Sequence, residues 1–253
     1  MPHTAVLMAG GCGTRGKPYT DFIPKVTIPI QGRPIIAYVT EYLASLPEIS
    51  DIIILADFEG LGRQIRNYFG SKKILGKRLK FIQDSQSGTG GDLLHLRPHL
   101  GKGHFILWFA DNICAVNIAQ MLRTLYETNT HACVALRSLR KESTGFADLD
   151  GNIVKKFIEK PTVTLPMKEC IGVYALSQDV LERISVAKRK KSSINLSYDI
   201  LTPMAKDGLV SAYDIGKFIW IDAESPAVLE RNSIDVKKAL EQMSRVKIKS
   251  DLR

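Results

Sequence analysis

Cysteine is scarce in this sequence, and its four copies lie far apart. Cys12, Cys114, Cys133 and Cys170 form no CxxC pair, so the ligand spacing typical of a structural zinc site is missing. A disulfide framework is typical of small secreted chains and is not expected in a chain of 253 residues without a secretion signal. We therefore expect reduced thiols and a cytoplasmic setting.

Long apolar runs and a basic leader are also missing. No apolar stretch approaches the roughly 18 residues that a membrane-spanning helix needs. The first ten residues have no basic region of the kind that begins a secretory signal. Apolar residues make up 45% of the chain and charged residues 24%, which are ordinary globular values and exclude bulk disorder. The sequence thus predicts a globular protein with no membrane partner.

Acidic side chains are outnumbered by basic ones. Lys and Arg number 35 against 26 Asp and Glu, so the formal net charge is +9. An excess of this sign suits anionic ligands such as nucleic acid or phosphorylated metabolites. The two dense basic runs, 188–191 and 245–249, lack the interleaved aromatic residues of a nucleic-acid surface, and we interpret both as solvated. A nucleic-acid partner is therefore not expected, because only the net charge supports one.

Short apolar runs in the first half predict buried strands, and amphipathic patterns between them predict helices. The strand runs are 4–8, 51–55, 79–82, 104–109 and 132–136, and the helical patterns are 34–44 and 118–128. Alternation of strand and helix is typical of a mostly parallel sheet covered by helices on both faces. We therefore expect an α/β fold with three layers.

The second half has a different texture. After about residue 137 the sequence predicts a hairpin over 146–158 that turns at Asp150-Gly151-Asn152. Further strands are predicted over 171–176, 209–214 and 218–222, and one final helix over 227–243. We see no linker or internal repeat. We expect a single domain, 1–253, made of the halves 1–136 and 137–232 and a C-terminal helix and tail, 233–253.

A glycine-rich segment directly after the first predicted strand is the most informative part of the sequence. Gly10, Gly11 and Gly13 let the backbone approach an anion closely, and successive amides of such a loop can point into a phosphate. Arg15 adds a forked, permanently charged donor, and Lys25 adds a point charge. The segment is neither a P-loop nor a GxGxxG fingerprint, because no Gly-Lys-Ser/Thr follows and the glycine spacing differs. We interpret it as a phosphate-binding turn.

The same segment resembles the signature of the sugar-1-phosphate nucleotidylyltransferases, roughly G-G-x-G-T-R-L-x-P-x-T followed by P-K and P-I-x-G-K-P-x-I. The sequence has Gly10-Gly-Cys-Gly-Thr-Arg-Gly-Lys-Pro-Tyr-Thr20, then Pro24-Lys25 and Pro29-Ile-Gln-Gly-Arg-Pro-Ile-Ile36. The resemblance runs from residue 4 to about residue 232. It implies a Rossmann-like nucleotidyltransferase fold with a mixed, mostly parallel central sheet. In that fold 1–136 would bind the nucleotide, and a β-rich half, 137–232, would bind the sugar.

Later segments match the family's motifs in the family's order. The segment 83–91 resembles the part that contacts the nucleobase, Phe109-Ala-Asp-Asn-Ile113 a strand end that carries a metal ligand, and Phe157-Ile-Glu-Lys-Pro161 the F-x-E-K-P motif. Thr144-Gly145-Phe146, Cys170-Ile-Gly-Val-Tyr174 and Trp220-Ile-Asp-Ala-Glu-Ser-Pro226 resemble in turn the Y-G-V, N-A-G-I-Y and W-x-D-x-G-T-P motifs. Most of these matches are individually weak, but their order strengthens them.

The resemblance implies a role for each matched residue. Catalytic, phosphate-binding roles fall to Arg15, Lys25 and Lys160, and the metal-binding carboxylates would be Asp111 and Asp222. Nucleotide contacts are implied for Ala9, Gly10, Gly11, Gly13, Thr14, Gln83 and Gly88, and sugar contacts for Gly145, Glu159 and Gly172. Together they imply a Mg²⁺-dependent reaction of an NTP with a sugar 1-phosphate that yields an NDP-sugar and pyrophosphate.

Departures from the family motifs keep a second interpretation open. Ala110 replaces a usual Gly, and Cys170 replaces an Asn that helps to hold the sugar. The segment 223–225 departs from the x-G-T part of the W-x-D-x-G-T-P motif. These losses favour a non-catalytic, nucleotide-sugar-sensing subunit of a larger assembly, whereas the retained charged residues favour the enzyme. The base and sugar stay open, since 111–113 is typical of thymidylyltransferases and 88–90 of guanylyl- or uridylyltransferases. A homo-oligomer is compatible with the sequence.

Overall fold

The computed structural model describes residues 2–11, 13–70 and 73–251, with side chains described as far as Arg245. Cys12, in the variable position of the glycine-rich loop, lies outside the described residues. The strands are β1 His3–Met8, β2 Pro29–Ile30, β3 Arg33–Pro34, β4 Ile49–Ala56, β5 Lys73–Ile74, β6 Lys77–Gln83, β7 Phe105–Phe109, β8 Asn112–Ile113, β9 Ala132–Lys141, β10 Gly145–Asp150, β11 Ile153–Glu159, β12 Thr162–Leu176, β13 Val210–Asp214 and β14 Ile221–Asp222. The α-helices are α1 Ile35–Ser45, α2 Arg63–Phe69, α3 Gly88–His95, α4 Ile118–Glu127, α5 Gln178–Lys188, α6 Thr202–Lys206, α7 Pro226–Arg231 and α8 Ser233–Asp251.

Eight strands form one mixed sheet in the order β13-β9-β12-β7-β1-β4-β6-β5. Strands β7, β1, β4 and β6 run parallel to one another, and β13 runs parallel to β9. Strand β12 is antiparallel to both of its neighbours, and β5 is antiparallel to β6. The mixed, mostly parallel central sheet expected from the sequence is confirmed.

Both faces of the sheet are buried, which explains why its central strands read as continuous apolar runs. In β4, Ile52 and Ile54 belong to the core that α1, α4 and α8 cover, whereas Ile53 and Leu55 belong to the core that α3, α5 and α6 cover. Each fully buried aliphatic side chain contributes roughly 1.5–3 kcal/mol. The two-sided core therefore fixes the strand positions, and with them the edge at which the parallel strands end.

Most of the predicted elements are present, with shifted ends. The five strand runs of the first half lie within β1, β4, β6, β7 and β9 or overlap them closely, and the two helical patterns correspond to α1 and α4. Helix α4 begins where the side chain of Asn117 accepts a hydrogen bond from the backbone N–H of Gln120 at 2.9 Å, an N-cap. The predicted hairpin is formed by β10 and β11, and Gly151 at its turn has a φ of +57°.

Two predictions for the end of the chain were wrong. The predicted strand 218–222 is reduced to Ile221–Asp222, because the backbone N–H of Ile219 donates to the side chain of Gln242 on α8 and not to a strand. The predicted single helix 227–243 is divided into α7 and α8. The division lies at Asn232, whose φ of −100° and ψ of 21° depart from helical geometry.

The parallel strands place four loops at one edge of the sheet. Strands β7, β1, β4 and β6 are neighbours and point the same way, so their carboxyl ends meet at that edge. The residues that follow them include Asp111, Gly10, Asp57 and Asp84. Ligands of open α/β sheets bind at this edge.

None of the described helices is both long and apolar enough to cross a membrane. The division into nucleotide-binding and sugar-binding halves stays a prediction.

Candidate functional site

A cleft of about 1980 Å³ opens at the carboxyl edge of the sheet and extends over β9, β12 and the segment before α7. Ten of the residues that the sequence predicted as site residues line it: Ala9, Gly10, Gly11, Arg15, Lys25, Gly88, Asp111, Lys160, Gly172 and Asp222. These residues come from parts of the chain that are more than two hundred positions apart. The fold therefore brings them to a single cleft, and their individual roles stay predictions.

The turn after β1 is built around Gly13 and Thr20. Gly13 has a φ of +59°, a conformation that favours glycine, and an added Cβ would lie 2.8 Å from Cγ2 of Thr20. The Thr20 hydroxyl donates a hydrogen bond of 2.7 Å to the carbonyl of Gly13. Gly13 and Thr14 thus shape the turn behind the cleft, while Gly10 and Gly11 line it.

Alternating charges form a chain across the floor of the cleft. The Lys25 ammonium lies 2.6 Å from Oδ2 of Asp111 and 3.3 Å from Oδ1 of Asp222. The Arg15 guanidinium lies 3.5 Å from the other oxygen of Asp222 and also pairs with Glu224. Only 10% of the Lys25 side chain is exposed, against 61% for Arg15. Three carboxylates and two cations therefore converge where the glycine-rich turn faces the end of β7.

Short strand pairings bring the two aspartates together. Strand β14 pairs antiparallel with β8, so Asp222 lies opposite Asn112, the residue after Asp111. The backbone N–H of Ala223 donates to the carbonyl of Asp111 at 3.0 Å. The indole N–H of Trp220 donates to the side-chain oxygen of Asn112 at 2.9 Å, which anchors the approach to β14. The backbone thus sets the separation of the two carboxylates.

The electrostatics of this pair favour a cation. Burial raises the pKa of Asp222, and the negative charge of Asp111 adds to that effect, while Lys25 and Arg15 oppose it. A carboxylate with a raised pKa gains most when a further positive charge arrives. Within the described part of the chain, no group of three or more His, Cys, Asp and Glu side chains is arranged to hold a metal. The cleft therefore offers a cation two carboxylates and room for ligand oxygens.

The far end of the cleft is formed by β9, β12 and residues on either side of the hairpin. Lys160 lines the cleft and has a φ of +48°, which is uncommon for a residue other than glycine. Gly145 and Glu159 pair directly across the hairpin and do not line the cleft. An added Cβ on Gly145 would clash with Cζ of Phe157 and would lie 2.9 Å from a carboxylate oxygen of Glu159, so this glycine makes room for both side chains.

Residues that the sequence did not single out also contribute to this end. Arg137 stacks on the Trp220 ring at 4.3 Å and donates two hydrogen bonds, of 2.9 and 2.7 Å, to Glu169. Gly172, which the sequence did single out, has a φ of +74°, and an added Cβ would lie 2.6 Å from the side-chain nitrogen of Asn112. Neither Arg137 nor Glu169 belongs to a motif that the sequence analysis recognised. Their pairing follows from the register of β9 and β12, in which the two residues lie opposite each other.

Comparison with known proteins decides the family. The sequence profile of the nucleotidyl transferase family matches residues 4–236. The chain belongs to the nucleotidyl transferase family. It is 25% identical over 237 residues to the low-salt glycan biosynthesis nucleotidyltransferase Agl11 of Haloferax volcanii, covering 90% of this chain and 65% of that protein. It is 29% identical to the mannose-1-phosphate guanylyltransferase regulatory subunit alpha of Drosophila melanogaster, covering 70% of this chain and 44% of that protein.

The fold of this chain agrees with that of a solved structure. The structure of a UDP-glucose pyrophosphorylase complexed with UDP-glucose superimposes with a TM-score of 0.68 and 23% identity, covering 94% of this chain and 100% of that one. This likeness confirms the Rossmann-like nucleotidyltransferase fold expected from the sequence. The chain spans less than two thirds of the length of the two relatives compared by sequence.

In this chain the amide of Gln83 is engaged within the protein. Its oxygen accepts backbone N–H groups of Phe58 at 2.7 Å and Glu59 at 3.2 Å, and its nitrogen donates to Asp57 at 3.1 Å. Gln83 therefore braces the loop after β4 and does not line the cleft. Gly88 does line it, and an added Cβ there would lie 2.6 Å from the carbonyl oxygen of Ile194. The predicted nucleobase contacts of both residues stay predictions.

Asp84, which the sequence analysis did not select, borders the cleft next to Gln83. Its Oδ1 is buried without a hydrogen-bond partner among the described residues. Burial raises the pKa of Asp84 to about 6, and the charges of Asp92 and Asp57 add to the shift. Its other oxygen faces Gly10 so closely that an added Cβ on that glycine would clash with it. The chain thus keeps an unsatisfied carboxyl group beside its glycine-rich turn.

Asp84→Asn should stabilise the free protein at alkaline pH. The folded-state pKa of about 6 lies above the ordinary value of 3.8, so the ionised carboxylate costs stability above pH 6 and the cost fades as the pH falls towards 4. Two pKa units correspond to about 3 kcal/mol, which solvent screening reduces to about 1–2 kcal/mol. Urea unfolding at pH 8 should show that gain, and unfolding at pH 4 should show almost none. A variant no more stable than the parent at pH 8 would refute this account of Asp84.

Proposed function

We propose that this chain transfers a nucleotidyl group from an NTP to a sugar 1-phosphate, giving an NDP-sugar and pyrophosphate. The observation that supports the proposal most is the convergence of Arg15, Lys25, Asp111 and Asp222 on one cleft beside the glycine-rich turn. Two anionic substrates repel each other, so a catalyst for this reaction needs positioned cations more than it needs a nucleophile. The cleft provides that environment.

In the proposed reaction an oxygen of the sugar phosphate attacks the α-phosphorus of the NTP. A new phosphorus–oxygen bond forms, the bond between the α-phosphorus and the bridging oxygen breaks, and pyrophosphate leaves with the electron pair. The Arg15 guanidinium and the backbone amides of Gly10 and Gly11 would hold the leaving pyrophosphate. Lys25 would lie next to the reacting phosphates, and Lys160 would hold the phosphate of the incoming sugar.

The proposal includes Mg²⁺ as the cofactor, and the residues present fit that ion. Asp111 and Asp222 offer only oxygen donors, which Mg²⁺ prefers, and it usually takes one or two protein carboxylates. The Lys25 ammonium already contacts both carboxylates, so one cation can reach the two groups together. When bound, Mg²⁺ would neutralise phosphate oxygens as a Lewis acid. Lys25 would then be free to turn towards a phosphate.

A pyrophosphate-release assay tests the function. The full chain is supplied with Mg²⁺ and each pairing of five NTPs with a panel of sugar 1-phosphates, including those of glucose and mannose. We expect turnover with at least one pairing and none when the sugar 1-phosphate is omitted. Lys160→Met should raise the KM for the sugar 1-phosphate more than the KM for the NTP. Failure of every pairing with folded protein would refute the proposal.

A second candidate function is a non-catalytic, nucleotide-sugar-sensing subunit. One relative is named as a regulatory subunit. In this chain Glu224, in the segment 223–225 that departs from the family motif, pairs with the Arg15 guanidinium. The proposed reaction would need that guanidinium to hold pyrophosphate. Against this candidate, a sensor does not need the buried Lys25 with its two carboxylates. Tight NDP-sugar binding without turnover, together with a co-purifying catalytic partner, would favour the sensor.

A further inference from the structure

The backbone fixes Glu224 beside the glycine-rich turn. Ahead of it, Asp222 ends β14, and the backbone N–H of Ala223 donates to the carbonyl of Asp111 at 3.0 Å. The backbone N–H of Glu224 donates to the carbonyl of Asp222 at 2.9 Å. After it, Ser225 is the N-cap of α7, and its side chain accepts a backbone N–H of that helix. Glu224 therefore lies in a short segment that is held at both ends.

From this segment the Glu224 carboxylate reaches Arg15. A Cβ added to Gly16 would lie 2.7 Å from Cγ2 of Thr20 and 3.5 Å from the carbonyl oxygen of Glu224, so the segment packs directly against the turn. The Glu224 carboxylate pairs with Nη1 of Arg15, and both residues line the cleft. The Glu224 side chain is 38% exposed and the Arg15 side chain 61%. A ligand that enters the cleft can therefore reach this ion pair.

Glu224 differs from the two aspartates on the floor of the cleft in the cation that it contacts. The Lys25 ammonium lies within 3.3 Å of both aspartates and, among the described residues, forms no ion pair with Glu224. Glu224 pairs with Arg15, from which Asp222 lies 3.5 Å away. The charge of Glu224 therefore acts mainly on Arg15 and not on the pair of carboxylates proposed to hold Mg²⁺.

A carboxylate at this guanidinium competes with phosphate. Guanidinium N–H groups bind carboxylate and phosphate oxygens in the same planar geometry, and Arg15 is the group that would hold the leaving pyrophosphate. An exposed ion pair is worth at most about a fivefold factor in an equilibrium constant, so a polyphosphate with several charges can replace it. In the W-x-D-x-G-T-P motif that this segment resembles, Glu224 stands in the position of the glycine. Glycine has no side chain that could reach Arg15, so the competition comes from this chain's own glutamate.

We propose that Glu224 holds the Arg15 guanidinium in the free protein and is displaced from it by the β- and γ-phosphates of the NTP. This inference rests on the proposed function, which assigns Arg15 to pyrophosphate. Because the carboxylate must release the guanidinium each time a polyphosphate binds, it weakens the binding of NTP and of pyrophosphate and favours the release of pyrophosphate. Glu224 is thus a positioning residue that acts through Arg15.

Calorimetric titration of the full chain with inorganic pyrophosphate, once with Mg²⁺ and once without a divalent ion, tests the inference. Glu224→Gln keeps the size of the side chain and removes its charge. The variant should bind pyrophosphate roughly threefold to tenfold tighter than the parent in both titrations, since it loses a competing ion pair and a like charge. Its affinity for glucose 1-phosphate, which would bind at the Lys160 end of the cleft, should change by less than about twofold.

Two further variants are the controls. Glu182 also pairs with an arginine, Arg97, on the surface, and it does not line the cleft. Glu182→Gln should therefore bind pyrophosphate as the parent does. In an Arg15→Met background, Glu224→Gln should give no gain in pyrophosphate affinity, because the guanidinium for which the carboxylate competes is missing.

Unchanged pyrophosphate affinity in Glu224→Gln, or an equal gain in the Arg15→Met background, would overturn the inference. Weaker binding confined to the titration with Mg²⁺ would also overturn it, because Glu224 would then be a metal ligand. Failure of both the parent and Glu224→Gln to bind pyrophosphate would overturn it as well. The proposed function is judged separately by turnover. A parent that turns over while Glu224→Gln binds as the parent does leaves that function intact, whereas tighter binding by the variant without turnover in any pairing removes the function and keeps the displacement.

Discussion

Asp111→Asn should reduce pyrophosphate release roughly 10²–10³-fold, the range found when a preorganised electrostatic group is removed from an active site. The substitution keeps the size and shape of the side chain and removes the charge that faces the Lys25 ammonium at 2.6 Å. Without that charge Lys25 has only Asp222, and the proposed Mg²⁺ loses one of two carboxylates. The rate of pyrophosphate release at saturating substrates measures the effect, and circular dichroism checks folding.

Asp51→Asn is the matched control for this substitution. Asp51 lies near the start of β4, at the opposite edge of the sheet, where it pairs with Arg78 at 2.7 Å. It is also an aspartate in an ion pair, but it does not line the cleft. The control should keep nearly the full rate. If the two variants lost activity equally, the effect would be structural, and the assignment of Asp111 to the reaction would be wrong.

Lys25→Met should have an effect of similar size, roughly 10²–10³-fold on kcat. Methionine is unbranched and only one atom shorter than lysine, so the main loss is the ammonium that separates Asp111 from Asp222. The two carboxylates would then have no cation between them, and Asp222 would keep only its contact with Arg15 at 3.5 Å. Since burial and Asp111 already raise the pKa of Asp222, while Lys25 opposes the shift, its pKa should rise further. Steady-state kinetics should show the fall in kcat, with a weaker effect on the KM for the sugar 1-phosphate.

Lys17→Met provides the comparison within the same loop. Lys17 pairs with Asp21 at 3.0 Å on the surface, its side chain is 58% exposed, and it does not line the cleft. Exposed pairs of this kind contribute at most about 1 kcal/mol. Activity close to that of the parent is expected. A Lys25→Met variant that retained more than about a tenth of the parent kcat would be incompatible with the catalytic role.

The fold could be predicted from the sequence because its physical signals are local. The apolar runs that became β1, β4 and β7 are continuous, as strands buried on both faces must be, and α4 has both an apolar stripe and an Asn cap. The strand predicted over 218–222 was wrong because of a tertiary contact. Gln242, on the last helix, accepts the backbone N–H of Ile219, and no local pattern indicates that bond.

The same distinction between local sequence signals and tertiary contacts applies to the candidate site. The location of the glycine-rich turn and of Asp111 in one cleft could be predicted, the turn from its glycines and Asp111 from its resemblance to a family motif, and their roles stay predictions. The pairing of Arg15 with Glu224 could not, since the two residues are 209 positions apart and meet only through the β8–β14 pairing. The engagement of Gln83 with the loop after β4 likewise depends on the register of β4 and β6.

A crystal structure of the full chain with a non-hydrolysable NTP analogue and Mn²⁺ tests the central claim most directly. Mn²⁺ takes the oxygen ligands of Mg²⁺. Its anomalous scattering locates the ion independently of how the ordinary electron density is interpreted. The account predicts an anomalous peak coordinated by Asp111 and Asp222, with the triphosphate lying along Gly10, Gly11 and Arg15. A triphosphate bound elsewhere, or a metal peak away from both aspartates, would contradict it.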